Sequence, residues 1–236
     1  MRNIRNDNPN FSDEVDITIV YNDFKEEDRE TIISGIYVFI DNYLGELYSA
    51  TTIDNLNIIG IKEVTKELIP IEKLKSYLIW REKEFVEKYE GERDHTENDS
   101  YSTLEAKTKD GNPIIAVANS TVLEWDRKAS HPYILKISIP YDGENNNGLP
   151  DKETFNRLNK IEDELMLKLE DSAGFLNVCH TTGDNEREIY FACKDFRKPS
   201  KVLCQIIKNY QDKLDVSYDI YKDKYWQSLE WFRIKQ

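Results

Sequence analysis

The sequence is poor in the residues and motifs from which common catalytic and metal sites are built. It has three cysteines and three histidines in 236 residues, and it contains no GxSxG elbow, P-loop, GxGxxG or HExxH pattern. Standard nucleotide chemistry and zinc-dependent hydrolysis therefore lack their usual signatures. We predict no cofactor and no metal, and we do not expect an enzyme.

The cysteines give neither a disulfide framework nor a metal site. Their number is odd and no secretion signal precedes them, so a set of disulfides is not expected. A zinc site drawing on Cys179, His180 and Cys193 would need ligands from opposite faces of one hairpin, and no CxxC pair anchors it. Buried free cysteines are the commoner arrangement, and we expect it here.

Long apolar runs are also absent. The longest, residues 32–40, is interrupted by Ser34 and Gly35 and falls far short of the roughly 20 residues that a membrane span needs. Residues 1–10 have neither the apolar segment nor the small-residue cleavage site of a signal peptide. We therefore expect a cytoplasmic protein that does not bind a membrane.

Positive charge is scarce. Lysine and arginine number 32 against 45 aspartates and glutamates, which gives a formal net charge of −13. Nucleic-acid binding depends on positive surface charge, so we do not expect a nucleic-acid partner. Acidity of this degree favours solubility or attraction to a basic partner.

The apolar residues that are present, 39% of the chain, predict an α+β protein of two domains. The first, residues 1–90, is predicted as a small βαββα domain, with strands at 15–21, 46–53 and 57–61, a helix at 26–44 that ends at Gly45, and a second helix that starts at Pro70. The polar segment 91–100 is the predicted linker.

The second domain, residues 101–236, is predicted to begin with a hairpin around Asp110-Gly111-Asn112. A strand at 131–139 and a helix opening at Pro150-Asp151 follow, and then a hairpin at 175–194 around Gly183-Asp184-Asn185-Glu186. A helix from Pro199 and a strand at 214–220 complete the domain. From the strand at 131–139 the order is βαββαβ. That order predicts a ferredoxin-like fold, in which two helices cover one face of an antiparallel sheet.

Periodicity assigns faces to the second hairpin and to the helix before it. If Thr182 lies opposite Arg187, the alternation of side chains along the two strands places six residues on one inward face. They are Leu176, Val178, His180, Ile189, Phe191 and Cys193. We therefore predict His180 as a hydrogen-bonded histidine at the edge of the core. His131 precedes Pro132, and we do not expect a rigid element to hold its ring. The helix is predicted to have an apolar stripe formed by Phe155, Leu158, Ile161, Leu165 and Leu169. Glu162 and Asp163 are expected on the solvated side of this helix.

Four segments of the second half carry a resemblance to a known family. They are residues 111–119 (GNPIIAVAN), 131–137 (HPYILKI), 148–150 (GLP) leading to Ile161-Glu162, and the hairpin at 175–194. Together they resemble the uncharacterised bacterial family called domain of unknown function 695, over roughly residues 101–236. The resemblance implies a fold and brings no catalytic residues with it.

Two weaker similarities accompany this one. Residues 214–221 (LDVSYDIY) resemble the last strand of the B-type regulator of ribonuclease E activity, a small acidic ferredoxin-like protein thought to inhibit a nuclease by binding it. Here Ile220-Tyr221 stands where that family has a Gly-Trp step. Residues 41–46 and 80–85 resemble an N-terminal domain that accompanies the first family.

Aromatic side chains are dense near the C-terminus, and aromatic residues are enriched at protein interfaces. This predicts a partner-binding surface formed by Tyr218, Tyr221, Trp226 and Trp231. In the alternative interpretation, Tyr218 and Trp226 simply pack on the sheet.

Our leading hypothesis is therefore a non-catalytic protein-binding or regulatory module. One alternative is a carboxylate-dependent enzyme acting at a cleft between the domains. Another is an acidic inhibitor of a basic toxin or nuclease, because acidity speeds association with a basic partner. A homodimer formed through an exposed edge strand is left open.

Overall fold

The computed structural model describes residues 2–6, 12–89, 95–211 and 213–233. The chain divides into two units, residues 1–90 and 91–236. Part of the predicted linker, residues 91–94, lies outside the described residues. None of the described helices is long and apolar enough to cross a membrane.

Unit 1 is built on a four-stranded sheet. Its elements are β1 (Arg2–Asn6), β2 (Asp16–Tyr21), α1 (Arg29–Leu44), α2 (Glu46–Thr52), β3 (Asn55–Gly60), β4 (Ile69–Pro70) and α3 (Leu74–Lys88). The strand order is β3-β2-β1-β4; β2 is antiparallel to β1 and parallel to β3. The predicted helices are confirmed as α1 and α3, but Pro70, predicted to start the second helix, lies in β4, and α3 begins at Leu74. The predicted strands at 15–21 and 57–61 are confirmed as β2 and β3. Strand β1 was not predicted.

The predicted strand at 46–53 is wrong, because this segment is helix α2. Gly45, at a φ of 96°, ends α1 with a hydrogen bond from its N–H to the Asp41 carbonyl. Ser49 then fastens the new helix, since its hydroxyl donates to Asp41 Oδ1 at 2.6 Å. Because β2 and β3 are parallel, the chain between them has to return along the sheet, and helices make such a crossover.

The core of unit 1 lies between the sheet and its helices. Ile17 and Ile19 of β2 pack there with residues of α1 and α3, which are Ile36, Ile40, Leu74 and Leu78. The helical spacing of these side chains in the sequence accounts for the apolar stripe that each helix presents.

Unit 2 is built on a six-stranded sheet in which every neighbouring pair is antiparallel. Its elements are β5 (Tyr101–Lys107), β6 (Pro113–Asn119), α4 (Ser120–Leu123), β7 (Tyr133–Pro140), α5 (Lys152–Lys168), β8 (Phe175–Gly183), β9 (Glu186–Cys193), α6 (Arg197–Tyr210) and β10 (Ser217–Lys222). The strand order is β10-β7-β9-β8-β6-β5. Both predicted hairpins and both predicted helices are confirmed.

Helices α5 and α6 cover one face of this sheet and enclose the first core. Its members include Leu135, Ile137, Ile139, Leu158, Ile161, Leu165, Phe191, Leu203 and Ile206. The predicted stripe of α5 is confirmed except at Phe155, whose side chain is 44% exposed. The guanidinium of Arg187 lies 5.7 Å from the Phe155 ring, so the ring covers a buried charge and does not join the core.

The opposite face of the sheet is covered as well, by α4 and the 3-10 segment Gln227–Phe232. The second core between them includes Ala118, Val122, Ile134, Leu176, Val178, Cys179, Tyr190, Trp226 and Leu229. We expected the strand at 131–139 to be half buried. That expectation is confirmed at Lys136 and Ser138, which are partly exposed, whereas Ile134 on the same face is buried in the second core.

A β-bulge in β8 changes the predicted faces of the second hairpin. The register shifts between Asn177 and Cys179, so two residues of β8 oppose one of β9. Leu176 and Val178 consequently lie in the second core, and the prediction for them is wrong. Beyond the bulge the prediction is confirmed, since Thr182 pairs with Arg187 and His180 with Ile189.

Candidate functional site

An open groove lies between helix α5 and strands β5, β6 and β8 of unit 2. It has a volume of about 430 Å3 and is lined by Tyr101, Val117, Asn159, Glu162, Asp163, Met166, Asn177 and His180. We call it the α5–β6 groove. No residue of β5 or β6 belongs to the first core, so these two strands extend the sheet past the part that the helices cover.

A buried carboxylate, Glu162, forms one wall of the groove. Its Oε1 accepts a hydrogen bond from Asn177 Nδ2 at 3.2 Å and lies 2.9 Å from His180 Nδ1. Its Oε2 accepts a hydrogen bond from Arg187 Nη1 at 2.8 Å. The expectation of a solvated Glu162 is therefore wrong, whereas the neighbouring Asp163 is exposed as predicted.

Arg187 is the cation of this buried pair. It is 1% exposed, and both terminal nitrogens donate to Asn159 Oδ1 at 3.3 Å. Within the described part of the chain its Nε has no hydrogen-bond partner. We call Asn159, Glu162, Asn177, His180 and Arg187 the Glu162 network. Removing two charges from water is costly and is offset only by close pairing of this kind.

The Glu162 network keeps its carboxylate ionised. Burial raises the pKa of Glu162, but the hydrogen bonds and charges contributed by His180, Arg187 and Asn177 outweigh burial, and the net shift lowers the pKa. Burial lowers the pKa of Arg187 and the charge of Glu162 opposes that shift. An arginine side chain stays protonated in proteins, so the pair holds one negative and one positive charge at neutral pH.

His180 connects the network to the groove. Its Nδ1 is held by Glu162, and among the described residues Nε2 has no hydrogen-bond partner. An ionised carboxylate beside Nδ1 favours a proton on that nitrogen and fixes the orientation of the ring. The ring is thus oriented by the protein and has one polar atom left for a bound molecule. The prediction of a hydrogen-bonded histidine at the core edge is confirmed.

The remaining lining gives the groove a mixed chemistry. Tyr101, Val117 and Met166 offer aromatic and aliphatic surface, while Asn159 and Asn177 offer amide groups. Pockets that combine apolar surface with a few fixed polar groups are typical ligand sites. Nowhere in the described residues do three metal-binding side chains come close enough together to hold an ion.

A comparison of the sequence with models of protein families finds a match in this unit. The model described as "Family of unknown function (DUF695)" matches residues 103–232, which is more than half of the chain. The chain belongs to DUF695. The resemblance predicted from four segments of the second half is therefore confirmed. Neither the curated proteins nor the solved structures include a significant match, and the similarity of the last strand to a ribonuclease regulator stays a prediction.

The DUF695 match includes the C-terminal aromatic residues predicted to bind a partner, but the structure does not bring them together on one surface. Tyr218 packs against the first core, and its hydroxyl lies 3.1 Å from Ser200 Oγ. Tyr221 packs against the second core and donates a hydrogen bond to Ser228 Oγ at 2.9 Å. Since successive side chains of a strand alternate, one partner surface cannot contain both.

The two tryptophans of this set have opposite environments. Trp226 is 1% exposed in the second core, and its Nε1 donates to the His131 carbonyl at 2.9 Å. The prediction that Trp226 contacts a partner is wrong, because its side chain is buried, and the alternative of sheet packing holds for it and for Tyr218. Trp231 is 89% exposed and remains available.

His131 is the residue whose environment sequence reasoning misjudged most in the DUF695 unit. Its position before Pro132 suggested a loosely held ring, yet it is fully buried. Its Nδ1 lies 2.9 Å from Ser130 Oγ, and Trp125 meets the ring edge-on at a centroid distance of 5.5 Å. Burial, aided by the charge of Lys194, lowers the pKa of His131 to about 3, so the ring is neutral at physiological pH.

The sequence contained one usable signal for the Glu162 network. Arg187 lies on the same side of β9 as Ile189 and Phe191, which were predicted to face the core. A charged residue on a core face requires a partner, because an unpaired buried charge is too costly. A carboxylate on α5 was the available partner, and the helical period left Glu162 next to the apolar stripe.

Proposed function

We propose that the DUF695 unit is a non-catalytic binding module that engages a protein partner at the α5–β6 groove. The observation that carries this proposal is the Glu162 network beneath an open groove. A buried ion pair contributes little net stability compared with apolar packing, so its presence beside a groove favours a role in recognition. It fixes His180 as a polar contact before any partner arrives.

The state of the titratable groups supports a role without chemistry. A general base works best with a pKa near the operating pH, and the pKa of Glu162 is shifted downward. The pKa of His131 is lowered to about 3, and burial raises the thiol pKa of both Cys179 and Cys193. A thiol that stays protonated is a weak nucleophile. These shifts disfavour proton transfer and nucleophilic attack by these four groups near neutral pH.

The shape of the groove supports a protein segment as the occupant. The groove is open, and beside Val117 the half-exposed Ile115 continues the same face of β6. An extended segment can therefore continue from the groove along the sheet. The strand order β10-β7-β9-β8, with α5 following β7 and α6 following β9, also supports the finer proposal of a ferredoxin-like fold.

A pair of adjacent positions on α5 tests the proposal. Met166 lines the groove, whereas Leu167, which is 75% exposed, does not. We would place a photo-cross-linking amino acid at each position in the full chain, irradiate living cells, and identify adducts by mass spectrometry. We expect a discrete protein adduct from position 166 that position 167 does not give, and an unchanged mass for the partner apart from the cross-link.

Two results would overturn the proposal. Equal adducts from both positions, or none from position 166, would show that the groove is not the binding site. A partner or small molecule returned with a changed covalent structure would show that the unit is an enzyme. Cytoplasmic location, bacterial origin and a homodimer through β5 or β10, the two edges of the sheet, stay predictions.

A further inference from the structure

The charge of the α5–β6 groove narrows the chemistry of its occupant. The lining contains two carboxylates, Glu162 and Asp163, and no lysine or arginine. Glu162 is matched by Arg187, so it adds little net charge. Asp163 is exposed and leaves the lining with an excess negative charge. The groove therefore attracts a cation more than an anion.

The apolar part of the lining suits a long cationic side chain. Tyr101 is 55% exposed and Met166 is 43% exposed, and Val117 of β6 pairs with Thr103 of β5 on one side and with His180 of β8 on the other. Lysine and arginine lay their methylene stems on apolar surface while the charged end reaches a polar group. The tyrosine ring offers a second attractive contact, because cations bind aromatic faces.

We propose that the α5–β6 groove binds a lysine- or arginine-bearing segment of a partner protein, with the cation beside Asp163 and its stem on Met166 and Val117. This inference rests on the proposed function and adds the chemical class of the partner. Charge complementarity argues for a protein segment of positive charge, since the whole chain has a net charge of −13 and attracts such a partner from a distance. His180, which lines the groove, offers a further polar contact to that segment.

The test compares three peptides of equal length that differ only in charge. Each is capped at both ends and alternates serine with one residue type, which is lysine, glutamine or glutamate. We would titrate each into the isotope-labelled full chain and follow backbone amide shifts. We expect the lysine peptide alone to shift the amides of Val117, Asp163, Met166 and His180.

A matched pair of variants checks the role of Asp163. Asp163→Asn should weaken binding of the lysine peptide by about 1.5- to fivefold, the range for one exposed ion pair. Asp219→Asn removes the same charge from β10 at the opposite edge of the sheet and should leave the affinity unchanged. Salt raised to about 0.5 M should weaken binding to the wild-type chain, because it screens exposed charges.

Each other outcome counts against the inference in a distinct way. Equal binding of the glutamine or glutamate peptide at the same amides would overturn the choice of a cation and leave groove binding intact. Spermidine that saturates these amides as tightly as the lysine peptide would replace the protein segment by a free amine. If no peptide shifts the groove amides, the cationic segment is wrong, and the cross-link at position 166 decides separately whether the groove binds a partner.

Discussion

Two histidines of the DUF695 unit show how environment sets the role of one residue type. His131 lies with Trp125, Ser130 and Trp226 in a buried group that we call the His131 cluster. His180 belongs to the Glu162 network at the groove. In the first region the ring is fully buried, and the residues that the structure describes place no carboxylate against it. In the second it supplies an ionised carboxylate and keeps part of the ring exposed. The first arrangement produces a neutral packing residue, and the second produces an oriented polar contact.

The substitution with the largest expected effect disrupts the His131 cluster. Trp226→Ala should lower the free energy of unfolding by about 3–5 kcal/mol, because a tryptophan-sized cavity opens in the second core. The variant also loses the hydrogen bond to the His131 carbonyl. Urea unfolding followed by far-ultraviolet circular dichroism measures the change. A loss below about 1 kcal/mol would mean that the cavity collapses or that the C-terminal segment contributes little.

The second substitution disrupts the Glu162 network. Glu162→Leu leaves the buried Arg187 guanidinium without its anion and should lower the free energy of unfolding by about 3–5 kcal/mol. The double variant Glu162→Leu with Arg187→Met removes both charges and should return to within about 1 kcal/mol of the wild-type value or exceed it. The same urea experiment measures both. A double variant as unstable as the single one would show that the unpaired charge is not the cause.

The third prediction concerns the pH dependence of the free energy of unfolding, which should reflect the buried environment of His131. Because the pKa of His131 is about 3 in the folded chain and near 6.5 in the unfolded one, only the unfolded chain gains this proton as the pH falls between these values. Stability should therefore decrease with falling pH, and His131 should contribute about 1 kcal/mol per pH unit between pH 6 and pH 5. Carboxylates with lowered pKa values, such as Glu162, add their loss of stability at lower pH.

His131→Phe removes this titration and keeps a ring in the His131 cluster. Unfolding free energies of the variant and the wild type, measured at pH 6.0, 5.5 and 5.0, should therefore diverge in slope. Parallel pH profiles for the two proteins would contradict a neutral, buried His131.

The substitution with the smallest expected effect serves as the control for Trp226→Ala. Trp231→Ala should change the free energy of unfolding by no more than about 0.5 kcal/mol, since its side chain is 89% exposed. Any larger loss, measured in the urea experiment used for Trp226, would indicate that Trp231 stabilises the folded unit. The pair then separates the buried tryptophan from the one still available to a partner.

By itself, the sequence determined most of the local structure of the DUF695 unit. Alternation in 133–139 and the stripe of α5 predicted their buried faces, and the turn residues Asp184 and Asn185, both at positive φ, located the second hairpin. These features depend on neighbours a few residues away, so periodicity and turn chemistry are enough to predict them.

Only the tertiary structure decided which polar side chains are buried. Glu162 meets Arg187 across 25 positions of sequence, and Trp226 covers His131 across 95. Likewise, the bulge in β8 reassigns Leu176, and the parallel pairing of β2 with β3 calls for α2 where strand-forming residues had suggested a strand. The physical reason is common to all four. Their free energies depend on partners brought close by the fold. A local pattern can place a charge such as Arg187 on a core face, but it does not show which distant residue pairs with it.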